Sequence, residues 1–143
     1  MQCPEKHERP GSKIASFISF SPPVEQYMLN TDKQRFKQIL INLLGNAAKF
    51  TRDGEIRLTF EIEPNLHQIR LSVTDTGCGI PIEKHPHIFD RFEKVNEFVQ
   101  GAGLGLAISL LIAQLLKGSL FIDSTYTSGA RFVFIHPIGL TNQ

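Results

Sequence analysis

Cysteine, charge of one sign and long hydrophobic runs are all scarce in this chain, and each scarcity removes a class of function. Two cysteines are present, Cys3 and Cys78, far apart and without CxxC pairing. Such usage argues against a disulfide framework or a zinc site and fits a reducing compartment. The opening Met-Gln-Cys-Pro-Glu-Lys-His-Glu-Arg-Pro-Gly has no apolar core of the kind a signal peptide needs. The longest apolar run, Leu104 to Leu116, is interrupted by Gly105, Ser109 and Gln114 and is too short to cross a bilayer. A formal net charge of +1 provides no electrostatic attraction to nucleic acid or to an anionic membrane. The chain as given is expected to be soluble, whatever the topology of a longer parent protein.

What is present fits one globular domain. The 143 residues are 41% apolar and 20% charged, enough to bury a core and too few for two comfortable ones. Residues 1–13 are polar with two prolines and a glycine and read as a linker. Ile14 to Phe20 reads as a short strand before Pro22-Pro23, and Val24 to Leu29 as a second, edge strand. From Asp32 the period changes: Phe36, Ile39, Leu40, Leu43, Leu44 and Ala47 recur at three- and four-residue spacing behind a good N-cap. That predicts an amphipathic helix ending near Thr51. Ile56, Leu58, Phe60 and Ile62 then alternate with polar groups, and Ile69 to Asp75 alternates again after a turn at Pro64-Asn65. The pair predicts an antiparallel hairpin with one wet face.

Residues 76–103 carry little periodicity and many glycines and prolines, and an unstructured stretch of that length in a compact domain is usually functional. Leu104 to Leu116 is apolar nearly all round, which predicts a buried helix with Gly118 as its stop. Strands at Ser119 to Ser124 and Arg131 to His136 close the chain around Thr127-Ser128-Gly129. The outline is an α+β fold, a two-layer α/β sandwich with helices on one face of a mostly antiparallel sheet. The domain is expected to span 14–138, with a tail at 139–143.

Three features could carry chemistry. On the first helix, Asn42, Asn46 and Lys49 form a polar stripe roughly 120° from the centre of the apolar one. Carboxamide oxygens are hard neutral ligands suited to Mg²⁺, and lysine supplies a point charge for phosphates. Asp75 has the parity of Ile69, Leu71 and Val73, which aims its carboxylate at the buried face, where it needs a donor to accept from. Gly77 and Gly79 follow it and let the backbone pass close to a flat ligand. Gly101-Ala102-Gly103-Leu104-Gly105 opens the apolar helix, where backbone N–H groups and the helix dipole favour phosphate. It is neither a dinucleotide fingerprint nor a Walker loop: Leu106 stands where the former needs glycine, and no Gly-Lys-Ser/Thr follows. Taken singly, each has an ordinary alternative: a solvated helix face, a turn cap, a flexible loop. His85-Pro-His87 reads as a surface turn, and Cys78 as a small filler in a glycine loop.

In their order these segments resemble the ATP-binding domain of sensor histidine kinases, a superfamily that includes gyrase and mismatch-repair ATPases. Gln38 to Thr51, with Asn42, Asn46, Lys49 and Phe50, is similar to the N box. Asp75-Thr-Gly77-Cys-Gly79-Ile80 resembles the G1 box, Ile88-Phe89-Asp-Arg91-Phe92 the F box and Gly101 to Leu106 the G2 box. The resemblance covers about residues 14 to 137 and implies the Bergerat α/β sandwich. It implies that Asn46 ligates Mg²⁺ with help from Asn42, that Lys49 contacts phosphate, that Phe50 borders the adenine and that Asp75 accepts from the adenine amino group. Gly77, Gly79 and Ile80 would line the base; Gly101, Gly103, Leu104, Gly105 and Leu106 would hold phosphates, with Arg91 a further candidate.

The implied activity is protein-histidine kinase chemistry: Mg-ATP donates its γ-phosphoryl group to a histidine on a separate dimerisation domain. The expected partners are that histidine phosphotransfer domain, in the same parent polypeptide, and a downstream response-regulator receiver domain; nucleic acid is not one. The expected location is cytoplasmic, with a parent that could be anchored in the inner membrane. Hydrolysing relatives carry a glutamate one helical turn before the metal asparagine to activate water; Asn42 stands there, which favours a kinase over an ATPase. Three departures remain. Ala102 replaces the usual threonine of the G2 box, the segment from Phe92 to Gly101 is short, and no phosphoacceptor helix pair is present, since His7-Glu8-Arg9-Pro10 lacks surrounding heptads. A nucleotide-binding interaction module without kinase activity and an anti-sigma-factor-like serine kinase stand as alternatives.

Overall fold

A computed structural model describes residues 14–22, 27–90 and 105–138. The elements run β1 (Ile14–Ser21), α1 (Lys33–Phe50), β2 (Gly54–Glu63), β3 (Gln68–Asp75), α2 (Gly105–Leu115), β4 (Ser119–Ile122) and β5 (Ala130–Pro137). The strands make one five-stranded sheet in the order β1-β2-β3-β5-β4. β1 pairs with β2 in parallel, with α1 as the crossover between them, and the other three pairings are antiparallel. The sandwich expected from the sequence is the one observed.

Pairing register decides which side chains face the helices. Leu58, Val73 and Phe132 lie abreast on β2, β3 and β5, as do Phe60, Leu71 and Phe134. Ile39, Leu43 and Ala47 of α1 and Ala113 of α2 pack onto this face. Burial of the leucine, isoleucine, valine and phenylalanine side chains among these contributes about 1.5–3 kcal/mol each, the largest favourable contribution to stability. The opposite face carries Arg57, Arg70 and Arg131 in ion pairs with Glu55, Glu63 and Asp123. α1 begins as its sequence requires: Asp32 accepts from the backbone N–H groups of Gln34 and Arg35 at 3.1 and 3.2 Å, satisfying two donors that the first turn leaves open.

Four expectations are corrected. Tyr27 to Asn30 is not strand, so the second edge strand is absent from that stretch; 23–26 lie outside the described residues. The stretch after Asp75 includes a 3₁₀ helix at Ile82–His87, and Ile88 behind it is buried in the core. α2 is not buried all round: Ile108, Leu111 and Leu115 are 42, 54 and 63% exposed, because one helix of a two-layer sandwich has only one face to give to the sheet. Finally, the left-handed residue that ends α2 is Lys117 (φ 63°), not Gly118. Gly118 N–H returns to Ala113 O and Lys117 N–H to Gln114 O, which is a Schellman ending with lysine at the strained position. Glycine is needed one residue later, where any Cβ would collide with the carbonyl oxygen of Ile135.

Candidate functional site

The site forms where the C-terminal half of α1, the end of β3 and the start of α2 approach one another. α1 brings its polar stripe beside the core stripe, and the three residues of that stripe meet different surroundings. Asn42 faces α2: its Nδ2 donates to Ser109 Oγ at 2.9 Å and to Gly105 O at 3.3 Å. Its Oδ1 accepts from Gln38 Nε2 at 3.0 Å. Ser109, fully buried, donates its own hydroxyl hydrogen bond to Gly105 O at 2.8 Å. Asn46, one turn further along the same face, is different. Its Nδ2 is buried without a hydrogen-bond partner among the described residues, as is Oγ1 of Thr51 at the end of the helix. A buried amide that forgoes a partner loses about 1–3 kcal/mol, so such groups call for an explanation. Lys49 is exposed and Phe50 half-buried.

Asp75 ends β3 and is 3% exposed, as its parity predicts. Oδ1 accepts from Gly77 N–H at 2.9 Å and from Ala130 N–H at 3.2 Å, and neither bond uses Oδ2. Burial pushes the carboxyl up from its ordinary value of 3.8, against the pull of those two N–H groups. Desolvation therefore outweighs the hydrogen bonds already made, and a further donor at Oδ2 would relieve it.

The loop after Asp75 is fastened on both sides. Cys78 N–H donates to Phe50 O at 3.2 Å, and Thr76 exchanges bonds with Glu55, through its N–H at 3.1 Å and its Oγ1 at 2.9 Å. Gly77 sits so close to the last turn of α1 that a Cβ would strike Phe50 O, and Gly79 is left-handed (φ 75°). Ile80 packs against the core, and its carbonyl oxygen lies 2.9 Å from Nε2 of His85, whose Nδ1 lies 2.8 Å from Ser124 Oγ. His85 is thus a pin between loops. His87 pairs with Asp90 at 3.1 Å, and no cluster of metal-ligating side chains occurs among the described residues. Cys78 is disulfide-bonded, which corrects its reading as a filler thiol and the reading drawn from cysteine spacing.

Of the expected phosphate-binding group, Gly105 opens α2 with nothing among the described residues within 4 Å of where a Cβ would stand, and Leu106 packs on the core. Arg91, Gly101, Gly103 and Leu104 lie outside the described residues. Of the F-box segment, Ile88 is buried and Phe89 stacks edge-on against Phe132 at 6.1 Å, so both are anchors. Sequence reasoning missed Ser109, Thr51, Tyr126 and Gly129 as members of the site. A serine inside an apolar helix was the available signal for the first; the other three depend on contacts across the fold.

Residues 31–140 match the family described as "Histidine kinase-, DNA gyrase B-, and HSP90-like ATPase". The chain is 34% identical over 139 residues to hybrid signal transduction histidine kinase B of Dictyostelium discoideum, covering 92% of this chain and 7% of that protein. It is 41% identical over 109 residues to sensor histidine kinase AruS of Pseudomonas aeruginosa, covering 71% of this chain and 11% of that one. Among solved structures, the nucleotide-free catalytic domain of histidine kinase ThkA superposes with a TM-score of 0.74 at 31% identity, over 87% of this chain and 80% of that one. Full-length ShkA in complex with AMPPNP superposes with a TM-score of 0.73 at 32% identity, over 87% of this chain and 25% of that one. The chain thus spans a small fraction of its curated relatives.

Proposed function

Because this chain belongs to the histidine kinase-, DNA gyrase B- and HSP90-like ATPase family, we propose that residues 14–138 are the ATP-binding catalytic domain of a two-component sensor histidine kinase. Asp75 is the observation that carries the reading. A buried carboxylate with one oxygen doubly held and the other outside both bonds is an acceptor set for an amino group. The adenine N6 amine would fill it, with Phe50, Gly77, Gly79 and Ile80 around the base.

At the other end, the unpartnered amide of Asn46 fits a hard cation, since an amide can turn its oxygen toward the ligand. Mg²⁺ held by Asn46, with Asn42 beside it, would neutralise phosphate charge. Asn42 is bonded to Gln38, Gly105 and Ser109, and so helps by holding the two helices in register. Lys49 remains available to a phosphate, and Gly105 and Leu106 continue the cradle that Gly101, Gly103, Leu104 and Arg91 would complete. Catalysis is positioning and charge neutralisation, with the γ-phosphoryl group presented to a neutral imidazole nitrogen that already owns its lone pair.

The acceptor histidine belongs to a separate dimerisation domain, and a receiver domain takes the phosphate next. No helix among the described residues is long and apolar enough to cross a membrane; the domain is assigned to the cytoplasm of a parent that could be membrane-anchored. No observation favours the interaction module or the serine kinase, and Ala102, the hint for the former, lies outside the described residues. Calorimetric titration with Mg-ADP tests the reading. Binding by the wild type, with at least a tenfold loss in Asn46→Ala when Mg²⁺ is present, is expected; no binding, or an Asn46→Ala variant at full affinity, overturns it. Incubation with a helical histidine domain and ATP is expected to give acid-labile phosphate, whereas acid-stable phosphate would indicate a serine kinase.

A further inference from the structure

The turn between β4 and β5 holds Asp75 at three points. Ala130 N–H bonds the carboxylate, Gly129 packs so closely that a Cβ would collide with the Asp75 carbonyl oxygen, and Tyr126 Oη donates to that same carbonyl at 3.1 Å. Tyr126 is itself held. The guanidinium of Arg131 lies 4.4 Å from the centre of its ring, donates through Nε to Thr74 Oγ1 at 3.0 Å and meets Asp123 Oδ2 at 3.4 Å. Asp123 closes the turn, with Oδ1 accepting from Thr125 N–H at 3.0 Å and from the Thr125 hydroxyl at 2.6 Å. The tyrosine is therefore fixed from its ring side and spends its hydroxyl on the residue that ends β3.

We propose that Tyr126 is a positioning residue that sets base selectivity by fixing the main chain of Asp75, and so the direction of its carboxylate. The inference rests on the nucleotide-binding reading above and adds to it a residue outside the N, G1, F and G2 boxes. Asp75 is the last residue of its strand, in register with Ile56 on one side and Ala130 on the other, and beyond it the chain turns away into the Gly77 loop. The aim of a side chain follows its own main-chain carbonyl and torsions, and a hydrogen bond weakens steeply once its angle departs from linear. The Tyr126 bond adds a side-chain restraint on the carbonyl at the point where the strand gives way to the loop. Phosphate contacts at α1 and α2 do not pass through this carbonyl, so loosening it should affect reading of the base and spare the rest of the nucleotide.

Affinities for Mg-ADP and Mg-IDP (inosine diphosphate) separate these effects, because hypoxanthine presents a carbonyl where adenine presents its amine. Tyr126→Phe keeps the ring under Arg131 and removes the hydroxyl alone. It is expected to weaken ADP by about fivefold, the equivalent of one ordinary hydrogen bond, while IDP stays within about twofold of wild type. The ADP/IDP ratio then narrows. Equal losses for both nucleotides, or an unchanged ratio, overturn the proposal. Arg131→Leu, which unseats the ring but leaves the hydroxyl, is expected to narrow the ratio in the same direction and carries the test should Tyr126→Phe fail to fold. Asp75→Asn separates the two levels of inference. If that variant keeps the wild-type ratio, base reading by Asp75 is wrong and the role of Tyr126 falls with it. If Asp75→Asn collapses the ratio and Tyr126→Phe preserves it, only the positioning role is lost.

Discussion

Asn42 Nδ2 on α1 donates to Ser109 Oγ on α2 at 2.9 Å, across 67 residues of sequence. The bond stitches the two helices together beside Gly105, whose carbonyl accepts from both side chains. Removing either partner leaves a polar group in a closed interface. Ser109→Ala and Asn42→Ala are each expected to lower unfolding free energy by about 1–2 kcal/mol, and the double variant by less than the sum. Urea denaturation of the four-member cycle measures it. A coupling energy near zero would show that the contact holds nothing together.

Asp75 carries a charge the fold resists. Its folded carboxyl sits above the ordinary 3.8, so the ionised form opposes folding at neutral pH, and that opposition fades as pH falls through the raised value. Asp75→Asn keeps an oxygen for Gly77 and Ala130 and removes the charge. The variant is expected to melt at or above the wild-type temperature at pH 7 without nucleotide, with the difference closing toward pH 4. It is expected to bind Mg-ADP at least tenfold more weakly, since an amide donor would then face the adenine amine. Differential scanning fluorimetry with and without ADP reads both effects. A destabilised variant that binds normally would refute this account.

His136 is buried between the rings of Phe36 and Phe134, with Nδ1 2.7 Å from Pro137 O and Nε2 2.8 Å from Thr31 Oγ1. Burial lowers its imidazole from the ordinary 6.5, against the pull of the Pro137 carbonyl. The folded value lies below the unfolded one, so the neutral ring's contribution is complete above pH 6.5 and is lost as pH drops through the lowered value. Unfolding free energies from urea denaturation are expected to fall on acidification in that window by at most about 1.4 kcal/mol per pH unit from this group, and His136→Gln to flatten the slope. An NMR titration placing the imidazole above pH 6.5 would contradict it.

Two glycines, one in α1 and one in the loop after β3, are expected to respond in opposite ways. Gly45 lies mid-helix with open space where a Cβ would stand, so Gly45→Ala is expected to stabilise α1 by up to about 1 kcal/mol. Gly77 abuts Phe50 O, and Gly77→Ala is expected to cost about 2 kcal/mol or more through forced displacement of the loop. Thermal melts of the two variants shifting in the same direction would disprove the contrast.

Much of this could be read before any coordinates. Asp32 as cap, the apolar period of α1 and the parity of Asp75 are local properties, and local rules located them. Partners distant in sequence were not legible. Nothing in Asn42 itself names Ser109, and nothing in Tyr126 names the Asp75 carbonyl. The parallel pairing of β1 was hidden for the same reason. The end of α2 shows a subtler failure: glycine preference at left-handed caps pointed to Gly118, while contact with Ile135 claimed that glycine and left the left-handed turn to Lys117. The apolar circumference of α2 misled because composition reports what a helix could bury, and only the layer count decides what it does.

The bond from Cys78 N–H to Phe50 O fastens the loop after Asp75 to the last turn of the helix that carries Asn46. Phe50 lies four residue steps beyond Asn46, about 6 Å of helix at 1.5 Å per residue. On the proposed reading α1 is in effect a measuring rod, its rigid backbone setting the distance between the two ends of the nucleotide. Inserting one residue between those positions would add about 1.5 Å and swing one end by about 100° relative to the other. The two half-sites would then be out of phase, each intact and unable to grip the same molecule.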